Sequence, residues 1–298
     1  MDPLSWDEPT WRARVEAVRA GRSLRPVAWP GGAALAVALS FDADHETPWL
    51  RDGESAPAPL SEGEYGARVA MPRILALLER HAARATFFVP AVAALLHPGG
   101  WHDLVGSGHE VALHGWIHER PGRLEGDAER ELLLRSAEVL ERLCGTRPVG
   151  YRAPSFDVSP STIAIAADAG LRYDSSLMAD DEPYELLADG RPTGLVELPV
   201  DWSRDDAAFL VMDRFGTARP MPSPRDLLGA WLDEYAGARA AGGLLQLTMH
   251  PDLIGRRSRL VVLDALLERF TADGDVWMAT HADVAAWCLA GTPPGGGM

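Results

Sequence analysis

Short apolar runs recur along this chain, and stretches with helical spacing separate them. Ala34 to Phe41, Ala85 to Pro90, Glu110 to Leu113, Val149 to Arg152, Tyr173 to Ser176, Leu195 to Val200, Leu244 to His250 and Val276 to Met278 read as strands. Between them, Ile74, Leu75, Leu77 and Leu78 follow Pro72, while Leu133, Ala137, Leu140 and Leu143 fall on one face of a helix over 127–143. Leu227, Leu228, Trp231, Leu232 and Tyr235 do the same over 224–241, and a further helix is expected over 257–270. Ser159-Pro160 reads as a helix N-cap and first position, and a last helix starts near Ala282. Strands alternating with helices specify a parallel α/β sheet, because each return requires a crossover. So many units in 298 residues, with no linker in the middle, favour one barrel over an open sheet. We assign it to residues 33–290, between a loose arm over 1–32 and a Pro/Gly-rich tail over 291–298.

The polar residues gather at one end of these strands. Asp42, Asp44, His114, Arg152, Asp174 and His250 each fall at or just beyond a strand's C-terminal end, where parallel barrels place their chemistry. Asp42 and Asp44 are two apart on an extended segment, so their carboxylates share a face and require a cation or a proton between them. Alone, Asp-Ala-Asp also fits a polar turn or the carboxylate pair of a nucleotide-sugar transferase.

Residues farther along supply partners. His114 and His118 are four apart, close enough for both imidazoles to reach one ion. With Asp44 they make a two-histidine, one-carboxylate set that leaves positions open for water and suits zinc, cobalt or ferrous iron. Such a site acidifies water and polarises a carbonyl. Asp42 is then placed as general base, Arg152 as the cation that orients it, and His250 as the acid that protonates a departing nitrogen, with Asp174 available to orient it. Trp49, Trp116 and Trp202 could close a small apolar pocket. His81, His97, His102, His109 and His281 are taken as surface or capping residues.

Several chemistries are absent. Gly106-Ser107-Gly108 precedes a strand and lacks a third glycine, no Gly-x-Ser-x-Gly elbow occurs, and neither cysteine has a catalytic setting. Cys144 and Cys288 are expected as buried free thiols. The net charge of -15 opposes nucleic acid and anionic membrane partners. Neither a signal-peptide pattern nor an apolar run of membrane-spanning length is seen, so a cytoplasmic protein is expected.

Ser-Phe-Asp-Ala-Asp at 40–44, His-Gly-Trp-Ile-His at 114–118, Tyr-Arg-Ala-Pro at 151–154, Tyr-Asp-Ser-Ser at 173–176 and Leu-Thr-Met-His at 247–250 resemble, in order, the motifs of the polysaccharide deacetylase family. This family is also called NodB-homology or carbohydrate esterase family 4. The resemblance implies a distorted (β/α)7-8 barrel and a divalent metal, usually zinc. It matches Asp42 to the base, Arg152 to its partner, Asp44, His114 and His118 to the metal ligands, and His250 to the acid.

Ala43 between the aspartates and Gly115 after the first histidine depart from the secreted sugar deacetylases. With Asp201-Trp202 and the segment after His250, they resemble a cytoplasmic subgroup of peptidoglycan deacetylase-like proteins, cyclic imide hydrolases and allantoinase-type ureide hydrolases. Members of that subgroup are often homotetramers. The resemblance therefore implies a hydrolase of non-peptide carbon–nitrogen bonds acting on an acylated amino sugar or a small soluble amide, or opening a cyclic imide or ureide. A non-catalytic binding protein and a ferrous oxygenase remain as other readings of the same residues.

Overall fold

The computed structural model describes residues 2–211 and 221–291. Its strands are β1 (Val18–Ser23), β2 (Leu35–Asp42), β3 (Thr86–Val89), β4 (Glu110–Leu113), β5 (Gly150–Tyr151), β6 (Tyr173–Asp174), β7 (Tyr184–Ala188), β8 (Arg191–Glu197), β9 (Leu244–Met249) and β10 (Val276–Ala279), all in one sheet. Every residue of β2 is buried, as expected for a strand covered on both faces.

Residues 36–38 of β2 pair with β9 and β10, and residues 40–41 with β9 and β3. A strand has two edges, so β9 lines one edge of β2 while β10 and β3 share the other, end to end. From there the sheet runs in parallel through β4, β5 and β6 to β8. Asp205, beyond β8, bridges to Thr248 of β9, so the sheet curls into the expected distorted barrel.

Alternation along β2 divides the core. Leu35, Val37, Leu39 and Phe41 pack outward with Ile74, Leu78, Leu263 and Leu266 of the covering helices. Ala36 and Ala38 belong to a second cluster with Phe88, Ala112, Tyr173, Val196 and Leu198, drawn from strands around the curl. The inward face of β2 therefore continues as Ser40 and Asp42, and the small alanines leave room for large polar groups above them.

The helices Met71–Arg80, Gly126–Cys144 and Pro224–Ala241 stand where the spacing placed them. Two others begin later than expected, at Thr162 and Leu260. Ser159 still caps, its hydroxyl accepting from the backbone N–H of Ser161 and Thr162.

The segment expected as a loose arm is structured. It forms the helix Glu8–Glu16 and the edge strand β1, antiparallel to β7, which is itself antiparallel to β8. Trp29 is buried, and its Nε1 donates to the Gly242 carbonyl. The polar alternation of Val18-Arg19-Ala20-Gly21-Arg22-Ser23 hides an edge strand, because most of these residues face solvent. Cys144 and Cys288 are buried and unbridged, and burial pushes their thiols up to about 11 and about 12. The tail expected over 291–298 lies outside the described residues beyond Gly291. Among the described residues no helix is long and apolar enough to cross a membrane.

Candidate active site

Asp42 closes β2 with 3 % exposure, and Arg152, one residue past β5, is fully buried against it. Arg152 Nη1 donates to Asp42 Oδ1 at 2.6 Å and to Ser40 Oγ at 2.8 Å. Its Nε and Nη2 donate to the carbonyl and hydroxyl of Ser175, and Phe88 lies flat beneath the guanidinium at 3.9 Å. Every edge of the cation is occupied, so the Asp42 carboxylate is fixed in direction.

Asp44 follows two residues later, and its carbonyl accepts from the N–H and hydroxyl of Thr47. That turn aims the carboxylate inward, where Oδ1 lies 3.4 Å from His114 Nε2 and Oδ2 lies 3.3 Å from His118 Nε2. Burial by itself would raise Asp44, but the imidazoles of His118, His114 and His250 hold its carboxyl well below the ordinary range.

The histidine loop is built by three devices. Gly115 has φ 74, a left-handed conformation that L side chains rarely adopt, and a Cβ there would lie 2.8 Å from Glu119 Oε1 and 3.1 Å from Pro154 Cγ. Glu119 accepts from the N–H groups of Trp116 and Ile117. His118 also has positive φ, at 61, which the surrounding loop must enforce. The departure at Gly115 noted in the sequence thus has a steric cause.

The donor set fits a divalent cation. His114 Nδ1 lies 2.7 Å from the Arg152 carbonyl, which only accepts, so Nδ1 carries the proton. Burial holds the ring below its usual pKa against the pull of Asp42 and Asp44, so Nε2 presents a lone pair. It faces Asp44 Oδ1, another acceptor, and both atoms are buried without a hydrogen-bond partner. Two opposed lone pairs in a buried site are what a cation resolves. Asp44, His114 and His118 each offer a ligand atom within 4.8 Å of the others. At His118, Arg51 Nη1 lies 2.9 Å from Nδ1 and only donates. For Nε2 to hold a cation the neutral ring would carry its proton on Nδ1, and Arg51 Nη1 would rely on the His118 carbonyl, to which it already donates at 3.0 Å.

His250 follows β9, and its Nδ1 lies 2.7 Å from Asp206 Oδ1. Burial lowers a histidine, but Asp206, then Asp205 and Asp44, override it and raise His250 well above its ordinary pKa. Burial also raises Asp206. The pair therefore holds its proton tightly, and we place it on the imidazole because Asp206 is surrounded by donors from His250. Nε2 is left pointing at the centre, 3.8 Å from Asp44 Oδ2.

The structure thus gathers Asp42, Asp44, His114, His118, Arg152 and His250 at one place. It does not bring Asp174 to His250. Asp174 is fully buried opposite Glu197 in the β6–β8 register, and burial lifts it to about 6. Asp206 orients His250 instead; the only hint in the sequence was the acidic pair Asp205-Asp206 shortly after Asp201-Trp202. Trp116 is covered by the guanidinium of Arg135, on the outer helix, at 3.8 Å, and Trp202 packs on Phe156. Trp49 is half-buried on the short helix Thr47–Arg51. His281, expected as a surface or capping residue, opens the helix His281–Gly291 and is fully buried beside Arg152. Asp252, beyond His250, was also missed, and burial lifts it to about 7.

Comparison with known proteins gives a consistent picture. The polysaccharide deacetylase family model matches residues 58–173. A candidate polysaccharide deacetylase from Mycobacterium smegmatis is 36 % identical, with a TM-score of 0.82 over 91 % of this chain and 96 % of its own. The peptidoglycan deacetylase of Helicobacter pylori is 28 % identical over 84 % of this chain and 95 % of its own length. The Puue allantoinase is 26 % identical, with a TM-score of 0.77 over 88 % of this chain and 92 % of its own.

Proposed function

The chain belongs to the polysaccharide deacetylase family, and on that premise we propose that it is a metal-dependent hydrolase that removes an acyl group, such as acetyl, from an amino sugar or related acylated amine. The observation that carries this reading is the facing pair of orphaned acceptors, Asp44 Oδ1 and His114 Nε2, beside a carboxylate fixed by Arg152.

Asp44, His114 and His118 would hold the divalent cation, which in this reading is zinc. When bound, such an ion supplies Lewis acidity, acidifying water and polarising a carbonyl. Asp42 accepts the proton that water gives up, and Arg152 keeps that carboxylate aimed at the centre. The water oxygen adds to the amide carbon and the carbon–nitrogen bond breaks. His250 delivers a proton from Nε2 to the departing nitrogen, so the products are a carboxylic acid and an amine. Asp206 stabilises the imidazolium that does this.

A second reading has an observation of its own. The likeness to an allantoinase over most of both chains supports a ring-opening hydrolase of cyclic imides or ureides with the same residues in the same roles.

Mass spectrometry after incubating zinc-loaded protein, with and without chelator, with N-acetylated amino sugars and cyclic imides or ureides separates the two. We expect chelator-sensitive loss of an acetyl group. Gain of one water by a ring compound would establish the second reading, and an unchanged pool would overturn both.

A further inference from the structure

One buried cation on this rim makes no side-chain hydrogen bond or close ion pair among the described residues. Arg204 is 5 % exposed, its Nε has no hydrogen-bond partner, and its guanidinium forms no ion pair with any described residue. A buried guanidinium N–H without a hydrogen-bond partner is costly, so a further group that accepts from Arg204 is favoured there. Arg204 lines a cavity of about 250 Å³ together with Met178, Asp180, Asp181 and Asp201. These residues lie in the segments that follow β6 and β8, so the cavity opens on the same rim of the barrel as the reaction centre.

The acidic neighbours narrow what can enter. Asp180 Oδ1 accepts from the N–H groups of Asp181 and Glu182, and Asp201 Oδ1 from the N–H and hydroxyl of Ser203. Each carboxylate is tied into its own turn through Oδ1, while its Oδ2 has no described partner. Against the effect of burial, the Ser203 hydrogen bonds and then Arg204 hold Asp201 below its ordinary range. A bare anion would meet repulsion here. A ligand that carries a carboxylate for Arg204 and N–H or hydroxyl donors for Asp180 and Asp201 satisfies every group.

The chain also says which half of the substrate this is. Arg204 lies two residues before Asp206, which holds His250, and Asp205 between them bridges to β9. This ties the Arg204 segment to the acid, whose partner in the reaction is the departing amine. We propose that Arg204 is a substrate-binding residue and that the substrate's amine half carries a free carboxylate. This rests on the hydrolase reading above and narrows its substrate class from neutral acylated amines to acylated amines with an acid group. A sugar acid and a small acylated or ureido amino acid share that chemistry.

Binding can be read without turnover. Calorimetric titration of N-acetylmuramate, N-acetylglycine and ureidoacetate, each against its methyl ester, into protein that is wild type at Arg204 and into Arg204→Met, both in the Asp42→Asn background, tests the cavity directly. We expect wild type to bind at least one acid about tenfold or more tightly than its ester, and Arg204→Met to erase that ratio; the preferred acid identifies the source. Equal binding of acid and ester by wild type, or no binding of any acid, overturns the proposal. An unchanged ratio in Arg204→Met with a native circular dichroism spectrum does the same. If Arg204→Met fails to fold, the wild-type ratio alone decides. Because Asp42→Asn removes the base, no bond breaks in this assay, and its outcome is independent of whether the protein hydrolyses any member of the panel.

Discussion

Asp206 grips His250 twice, accepting from its backbone N–H at 3.0 Å and from ring Nδ1 at 2.7 Å. One carboxylate therefore sets both the position and the protonation of the acid. Because Asp206 raises His250, the imidazolium persists above the pH at which an ordinary histidine discharges. Asp206→Asn should lower turnover by on the order of a hundredfold. It should also move the alkaline limb of the kcat profile to lower pH, since the acid form is then lost sooner. A limb that stays in place would show that another group donates the proton.

Asp42→Asn keeps the shape of the base but removes its ability to take a proton. Turnover should fall by about 10²–10⁴-fold. Bound zinc, measured by elemental analysis, should remain near wild type because Asp42 is not among the three proposed ligands. The substitution also leaves Arg152 buried without its anion, so the melting curve should show a loss of about 3 kcal/mol. Loss of zinc with loss of activity would instead make Asp42 a ligand.

Chelation should lower the melting temperature, because an ion that binds only the folded state stabilises it by mass action. His114→Ala removes a ligand and the opposed lone pairs together. Its melting temperature should therefore be insensitive both to chelator and to added zinc. A zinc-dependent shift that survives in this variant would move the ion elsewhere.

Gly115→Ser tests the histidine loop. A β-carbon would strain the backbone at φ 74 and crowd Glu119 and Pro154. A cost of about 1–3 kcal/mol is expected, with weaker zinc binding because Glu119 can no longer order the loop that carries His118. Wild-type stability and zinc affinity would show that the loop relaxes freely.

The buried carboxyls Asp174 and Glu197 give a pH dependence of stability that is separate from catalysis. Burial holds Asp174 at about 6, above its ordinary 3.8, and Glu197 higher still. The folded state then binds more protons than the unfolded state above pH ~4, so stability from this pair is present at low pH and declines as pH rises through about 6. Asp174→Asn, whose amide can stand in for the protonated acid, should gain on wild type between pH 4 and pH 8 by up to about 3 kcal/mol. Parallel melting curves at the two pH values would contradict the raised titration of this pair.

The strands and their polar ends were legible because both depend on local pattern. Burial on two faces imposes an unbroken apolar run such as Ala34 to Phe41, and a barrel exposes its strand ends at one rim, so Asp42, Asp44, His114, Arg152 and His250 could be gathered before any coordinates. What escaped depends on contacts between distant segments. β1 is polar and finds its place through β7, and Asp206 reaches His250 across 44 residues. Asp174 sat at a strand end like the others, yet its side chain turns to Glu197, which only the β6–β8 register reveals. His281 looked like a surface residue because nothing nearby in sequence announces Arg152.

The position of β2, paired along both edges and covered on both faces, bears on how this protein fails. Opening of a native protein begins at frayed ends and edge strands, and its most enclosed segment exchanges its amide protons only when the whole molecule unfolds. β2 is that segment here, and it ends in Asp42. Heating or denaturant can thus release β1 and the Glu8–Glu16 helix while the base stays in place. The protein should lose that residue's geometry last, in one step with global unfolding.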